Sequence, residues 1–153
     1  MKHVAYAYTR GMDAGELEDR LRSAETGVLA LADDGDAYAF PLAHYYDGDG
    51  LYFRLGITDG SSKQGFWETS RTACYVLHGA QSTENPQGLD SWSIIVTGEL
   101  VELPDAERER FDTTEINRHF PPIRVFDEAI DEIEIMMAEL EIDTMTGRVT
   151  PEL

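Results

Sequence analysis

Residues 38–55 constrain this chain more than any other stretch. Tyr38, Phe40 and Leu42 alternate with Ala37, Ala39, Pro41 and Ala43, the period-two pattern of a strand with one apolar face. Asp47-Gly48-Asp49-Gly50 follows, and Asp-Gly steps are what a tight hairpin turn requires, because both residues tolerate positive φ. Leu51–Leu55 then reads as the return strand. The stretch predicts two antiparallel strands joined by a short turn, and hence a chain built around a sheet. Gly60-Ser61-Ser62-Lys63 leads into a short helix over Gln64–Glu68, with Ser61 or Ser62 as its N-cap. Free N–H groups at a helix start, two hydroxyls and an ammonium make an anion site. Arg54, on the adjoining strand, offers a second cation.

The rest of the chain supplies more strands. Residues 1–11 are either an extended arm or a first short strand. Asp13 is placed as an N-cap with Glu16 three residues on, the spacing of a capping box, and the helix it opens ends near Ala24. Leu17 and Leu21 share one face of that helix. Thr26–Ala32 is a compact apolar run read as a strand, and Asp33-Asp34-Gly35-Asp36 turns it into the next one. Thr72–His78 is a strand with Ala73, Tyr75 and Leu77 on one face, followed by a polar loop over Gly79–Asp90. Ser91–Leu103 is a long strand in which Gly98 marks a bulge or a barrel corner. A helix from Pro104-Asp105 to Arg118 is stopped by His119-Phe120-Pro121-Pro122, and Phe126–Ile130 reads as one more helical turn. Ile133–Asp143 is the last strand. Its apolar parity switches near Met137-Ala138, which predicts a bulge there, and Thr146-Gly147-Arg148 reads as a turn into a tail. The expectation is one mainly β domain over residues 1–153, a closed or nearly closed antiparallel barrel with peripheral helices. Six short strands leave little room inside, so a binding site should lie outside the barrel.

Charge narrows the partners. The chain of 153 residues has 12 Lys and Arg against 30 Asp and Glu, for a net charge of −18. That exceeds the magnitude of about 2–8 usual for a small domain. Lys2 and Lys63 are its only lysines. An acid-rich surface poor in lysine suggests a halophilic protein, whose self-repulsion is screened by concentrated salt. Nucleic acid is not expected as a partner, since phosphate backbones call for basic stripes; nor is an anionic membrane surface. The one cysteine, Cys74, excludes an internal disulfide and reads as a strand residue. No apolar run reaches the roughly 18 residues of a membrane span, and the start lacks a signal-peptide pattern, so a cytoplasmic location is expected. His78 and His119 show no metal-ligand spacing, and no nucleophile elbow or phosphate-binding P-loop is present.

The segment PLAHYYDGDGLYFR with GSSK following at its distance, and WSIIVTGEL further on, resemble the FMN-binding split-barrel family, the pyridoxamine 5'-phosphate oxidase-like flavoproteins. The resemblance extends over nearly the whole chain in element order. It implies a six-stranded antiparallel split β-barrel, a homodimer, and one FMN in each groove between protomers. Phe40, Pro41, Leu42, Ala43 and His44 would run beside the flavin ring through their backbone groups. Tyr52, Phe53 and Arg54 would approach the ribityl chain and phosphate, and Ser61, Ser62 and Lys63 would cradle the phosphate. Trp92 either reaches the groove, from this chain or its partner, or packs in the core; His44 is either a site residue or a satisfied structural histidine. The extra basic residues that bind a substrate phosphate in pyridoxamine-phosphate oxidation have no counterpart here. The implied activity is therefore that of an FMN-dependent oxidoreductase on some other small organic molecule. The alternatives are a flavin-binding or sensing module without turnover, and a barrel binding haem or a deazaflavin. No acid or base is assigned, because the flavin ring itself carries the electrons.

Overall fold

The capping box forms as its spacing requires. The Asp13 carboxylate accepts the Glu16 N–H at 2.8 Å, and the Glu16 carboxylate reaches back to the Asp13 N–H at 3.3 Å. In the computed structural model, which describes residues 9–33, 35–57, 71–82, 89–104 and 134–151, this cap starts helix α1, Ala14–Ser23. Ala24 closes the helix by donating to the Arg20 carbonyl at 2.9 Å. Leu17 and Leu21 are buried, four apart on the inner face.

Eight strands make one antiparallel sheet among the described residues: β1 Arg10–Gly11, β2 Thr26–Asp33, β3 Asp36–Ala43, β4 Tyr45–Tyr46, β5 Leu51–Ile57, β6 Thr72–Ser82, β7 Leu89–Glu102 and β8 Glu134–Val149. Six of them are the expected strands; the two-residue β1 and β4 complete the set. The order is β3-β2-β6-β7-β8-β5-β4, with β1 on β8. Its two ends, β3 and β4, are separated in the chain by His44 alone. One residue cannot span a flat sheet of seven strands at about 4.8 Å each, so the sheet curls round until its edges meet. This is the split barrel.

The structure corrects several expectations. The strand before the Asp47 turn does not pair with the strand after it over its length. Only Tyr45 and Tyr46 pair with Tyr52 and Leu51, whereas β3 pairs with β2 from Thr26↔Ala43 to Asp33↔Asp36. The turn itself is as expected: the Asp47 carboxylate accepts the Asp49 and Gly50 N–H groups, each at 2.9 Å, and Gly48 has φ 103°. Strand β6 runs on to Ser82 and β7 begins at Leu89, into the stretch expected as loop. Strand β8 does not stop at Asp143 but continues through Gly147 to Val149. The bulge placed at Met137-Ala138 is absent: β5 and β8 stay in register from Leu51↔Leu140 to Ile57↔Glu134. Both parities are apolar there because both faces are covered. Ala138 and Leu140 lie in the main core, while Met137 packs with Tyr52 and Leu103 on the other side. The bulge at Gly98 does form, where the β7–β8 register shifts. An added Cβ at Gly98 would run into the Glu141 carbonyl, so the two strands cross here closer than any side chain allows. The helices expected after Lys63, after Pro104 and near Phe126 lie outside the described residues.

The barrel interior is filled. Leu29, Leu51, Phe53, Tyr75, Leu77, Ile94, Val96 and Leu140 are fully buried and form one core with Leu17 and Leu21 of α1. Outside, rows of side chains cross the sheet in register; one reads Ala39, Ala30, Cys74, Thr97, Thr144.

Candidate functional site

The sheet's two edges meet along a seam, and the expected site residues of β3 and β5 lie on either side of it. Among the described residues β3 is an edge strand paired with β2, and Pro41 sits on it, as proline is tolerated at a sheet edge. Strand β5 comes into contact with β3 across the seam. Along β5 the side chains alternate. Tyr52 and Arg54 lie on the outer face, with Tyr52 beside Tyr45 at 6.3 Å between ring centroids, whereas Phe53 points into the core against Tyr75 at 4.8 Å. Tyr52 donates from its hydroxyl to the Glu139 carboxylate at 3.3 Å, across the β5–β8 pair.

His44 is the pivot between β3 and β4, and its side chain is spent inside the protein. It is 2% exposed. Nε2 lies 3.0 Å from the Leu21 carbonyl and Nδ1 2.7 Å from the Tyr75 hydroxyl. A carbonyl only accepts, so Nε2 carries the proton, and in the neutral ring Nδ1 accepts from Tyr75. Burial pushes the Tyr75 phenol well above its ordinary pKa, which keeps it a donor. The same hydroxyl lies 3.4 Å from the Leu42 carbonyl, and Gly27 leaves the space its ring occupies. This network ties the end of β3 to α1 and β6. A satisfied histidine thus fixes the strand that the resemblance places along a cofactor, without offering it a ring nitrogen.

The remaining expected residues divide. Phe40 packs partly against the core beside Tyr38; Leu42 and Ala43 are buried; Pro41 faces out. Trp92 does not join the β3–β5 seam of its own chain. It lies over Gly79, its cross-strand partner, with the Arg20 guanidinium 4.8 Å from its ring. Strand β8 separates the two places: Trp92 pairs with Val149, whereas Tyr52 pairs with Glu139. Ser61, Ser62 and Lys63 lie outside the described residues, a few positions past the end of β5 at Ile57. Sequence reading missed Tyr75, Tyr45 and Glu139 as neighbours of these residues. Inward parity on β6 was the available signal for Tyr75; Glu139 needed the register of β8.

Among solved structures, a FAD-binding protein from Mesorhizobium loti is 21% identical with a TM-score of 0.71, the match covering 94% of this chain and 99% of that one. A candidate 5-nitroimidazole antibiotic resistance protein from Bacteroides thetaiotaomicron is 20% identical with a TM-score of 0.68, covering 93% and 87%. A FAD and haem binding protein from Mycobacterium smegmatis is 20% identical with a TM-score of 0.66, covering 92% and 72%. At these identities the likeness is one of fold. No curated protein matches the sequence. No helix among the described residues is long and apolar enough to cross a membrane. A sequence model of the family described as pyridoxamine 5'-phosphate oxidase matches residues 13–149, from the cap of α1 to the last residue of β8, and the chain belongs to that family.

Proposed function

We propose that this chain is an FMN-binding oxidoreductase, working as a homodimer on a small organic substrate, with the flavin lying along the β3–β5 seam. The observation that carries the reading is the seam itself: the edge strand of the described sheet, held rigid by His44, facing a strand whose outer side carries Tyr52, buried beside Tyr45, and the partly exposed Arg54. The donor set fits the group. Edge-strand amides and carbonyls would hydrogen-bond the polar rim of the ring, as they would another strand. Arg54, with Ser61, Ser62 and Lys63 after β5, would bind the phosphate through charge-assisted bonds. Bound flavin supplies the hydride and electron chemistry. The protein's share is to hold the ring, to neutralise the phosphate and, through the second protomer, to exclude water. The family and the flavin-binding proteins of the same fold support this reading. A haem reading draws no support from His44, since both its ring nitrogens are occupied within the protein.

Mass spectrometry of the cofactor released on denaturation tests the assignment. FMN is expected; protein that carries no flavin and takes up none overturns it. Titration of apoprotein then tests the placement. Lys63→Ala is expected to raise the FMN dissociation constant at least about tenfold, the equivalent of 1.4 kcal/mol, and that of riboflavin less than about threefold. Equal losses for both ligands would mean that Lys63 does not hold the phosphate. Anaerobic reduction by NADH or NADPH separates an enzyme from a module that only binds flavin.

A further inference from the structure

The backbone of His44 shows which way the atoms of β3 face. Its N–H donates to the Glu25 carbonyl at 3.2 Å, on the β2 side. Along an antiparallel strand the backbone groups of successive residues point to opposite sides. Those of Phe40 and Leu42 therefore face β2 as well, and those of Ala39, Pro41 and Ala43 face the β5 side of the seam. Proline agrees with this parity, since its missing N–H takes no bond from β2. Ala43 is buried where the seam closes, and Pro41 is exposed where it opens. The peptide unit is planar and trans, so the Pro41 carbonyl is aimed by the Leu42 N–H of the same unit, in the opposite direction.

Tyr75 reaches this end of β3 from β6, across β2. Its side chain is fully buried, and its hydroxyl lies 2.7 Å from His44 Nδ1 and 3.4 Å from the Leu42 carbonyl. The route is open because Gly27 has no side chain: a Cβ there would stand 2.7 Å from the hydroxyl and 2.8 Å from the Val76 carbonyl. Tyr75 thus holds the two residues on either side of Ala43 by their inward-facing atoms.

We propose that Tyr75 is a positioning residue for the cofactor. Acting through His44 and Leu42, its hydroxyl sets where the seam-facing backbone of β3 meets the flavin ring. The inference rests on the flavin reading above, and it assigns a part to a residue closed off from solvent. In that reading β3 addresses the ring, while the phosphate is held by Arg54 and the residues after β5. Losing the hydroxyl should therefore weaken FMN and riboflavin alike, unlike the loss of Lys63, which weakens FMN alone.

Titration of apoprotein in molar salt with both flavins would compare the unmodified protein, Tyr75→Phe and Ile94→Val. The last changes the same core but no member of this hydrogen-bond network. Tyr75→Phe is expected to raise both dissociation constants equally, by at least about fivefold, and Ile94→Val by less than about twofold. Hydrogen exchange gives a second measurement that needs no variant to fold. In the unmodified protein, saturating FMN should slow exchange of the His44 amide, and riboflavin should do so to the same extent, because coupling between the two sites is reciprocal. If Tyr75→Phe binds flavin as Ile94→Val does, loses FMN alone, or the His44 amide ignores bound flavin, the role of Tyr75 is overturned and the flavin site stands. Protein that takes up no flavin overturns the proposed function, and this role with it.

Discussion

Strand β7 has two unlike halves. Before Gly98 its outward residues are Ser93, Ile95 and Thr97; after it they are Glu99 and Val101. Strand β8 repeats the contrast, with Thr146 and Thr144 on one side of the bulge and Glu141 and Glu139 on the other. Glu99 and Glu141 stand directly opposite each other, an arrangement that destabilises a sheet. The difference shows that the acids are not spread evenly over this protein. They crowd the arm beyond the bulge, even at the expense of like-charge pairs, and leave the neighbouring face bare.

Gly98 marks the boundary, and replacing it should have the largest effect. In Gly98→Ala the new methyl meets backbone, the Glu141 carbonyl, which cannot rotate away. A loss of about 3 kcal/mol is expected, the upper end for overpacking, measured by urea unfolding in molar salt. Gly79→Ala meets only the Trp92 side chain and should lose less. Equal losses would mean that the crossing is not special.

Next come two tyrosines, Tyr75 in the core beneath the bare half and Tyr52 on the outer side beside Glu139. Tyr75→Phe strands a buried His44 nitrogen and should lose about 1–3 kcal/mol. Tyr52→Phe removes only a part-buried bond to Glu139 and should lose at most about 1 kcal/mol.

A smaller effect separates the surfaces. Glu141→Gln relieves the facing pair and should stabilise by about 0.2–1 kcal/mol in dilute buffer. The gain should disappear in molar salt, where the screening length is about 3 Å. Thr146→Gln, on the bare face, should move melting equally at both salt levels. A salt-independent gain for Glu141→Gln would remove charge from the explanation.

The smallest effect is confined to the helix. The Arg10 guanidinium, followed by the Asp13 N–H, holds the Glu16 carboxyl at about 2, below its ordinary 4.5. A lowered carboxylate stabilises fully above its unfolded value, and the contribution is lost as pH falls through the folded one. The unmodified protein should therefore exceed Glu16→Gln in stability at pH 6, and the two should converge as pH falls from about 4.5 towards 2. Hydrogen exchange should place the difference in α1 and leave Leu100 and Leu140 unchanged.

Much of this was legible in the residues where the cause is local. The capping box of α1 needs only Asp13 and Glu16, and the Asp47 turn and the Gly98 bulge announce themselves through their own chemistry. Where sequence reading went astray, the reason was tertiary. Thr146-Gly147-Arg148 has the composition of a turn, yet Gly147 is glycine because Leu17 and Met12 of the helix region lie on it, 2.6 and 2.7 Å from where a Cβ would be. The parity change at Met137 reflects a second covered face, which no period reveals. The pairing of β3 turned on His44, whose partners lie 23 and 31 residues away. The phosphate-binding residues proposed from the sequence follow the seam in the chain, but their part in it rests on family resemblance.

The strand order also bears on how the protein is made. β8 pairs with β1, β5 and β7, so the last of the described strands to leave the ribosome lies inside the sheet between earlier ones. Closing the seam through His44 involves almost no loop entropy, because its two sides are consecutive in the chain. Joining Leu51 to Leu140 requires the whole intervening polypeptide, and such non-local pairings are slow. Among the described strands, β5 has only the two-residue β4 beside it until residues 134–140 have been synthesised. During translation, this largely apolar seven-residue strand stands with an open edge, and the chain's high negative charge keeps growing chains apart.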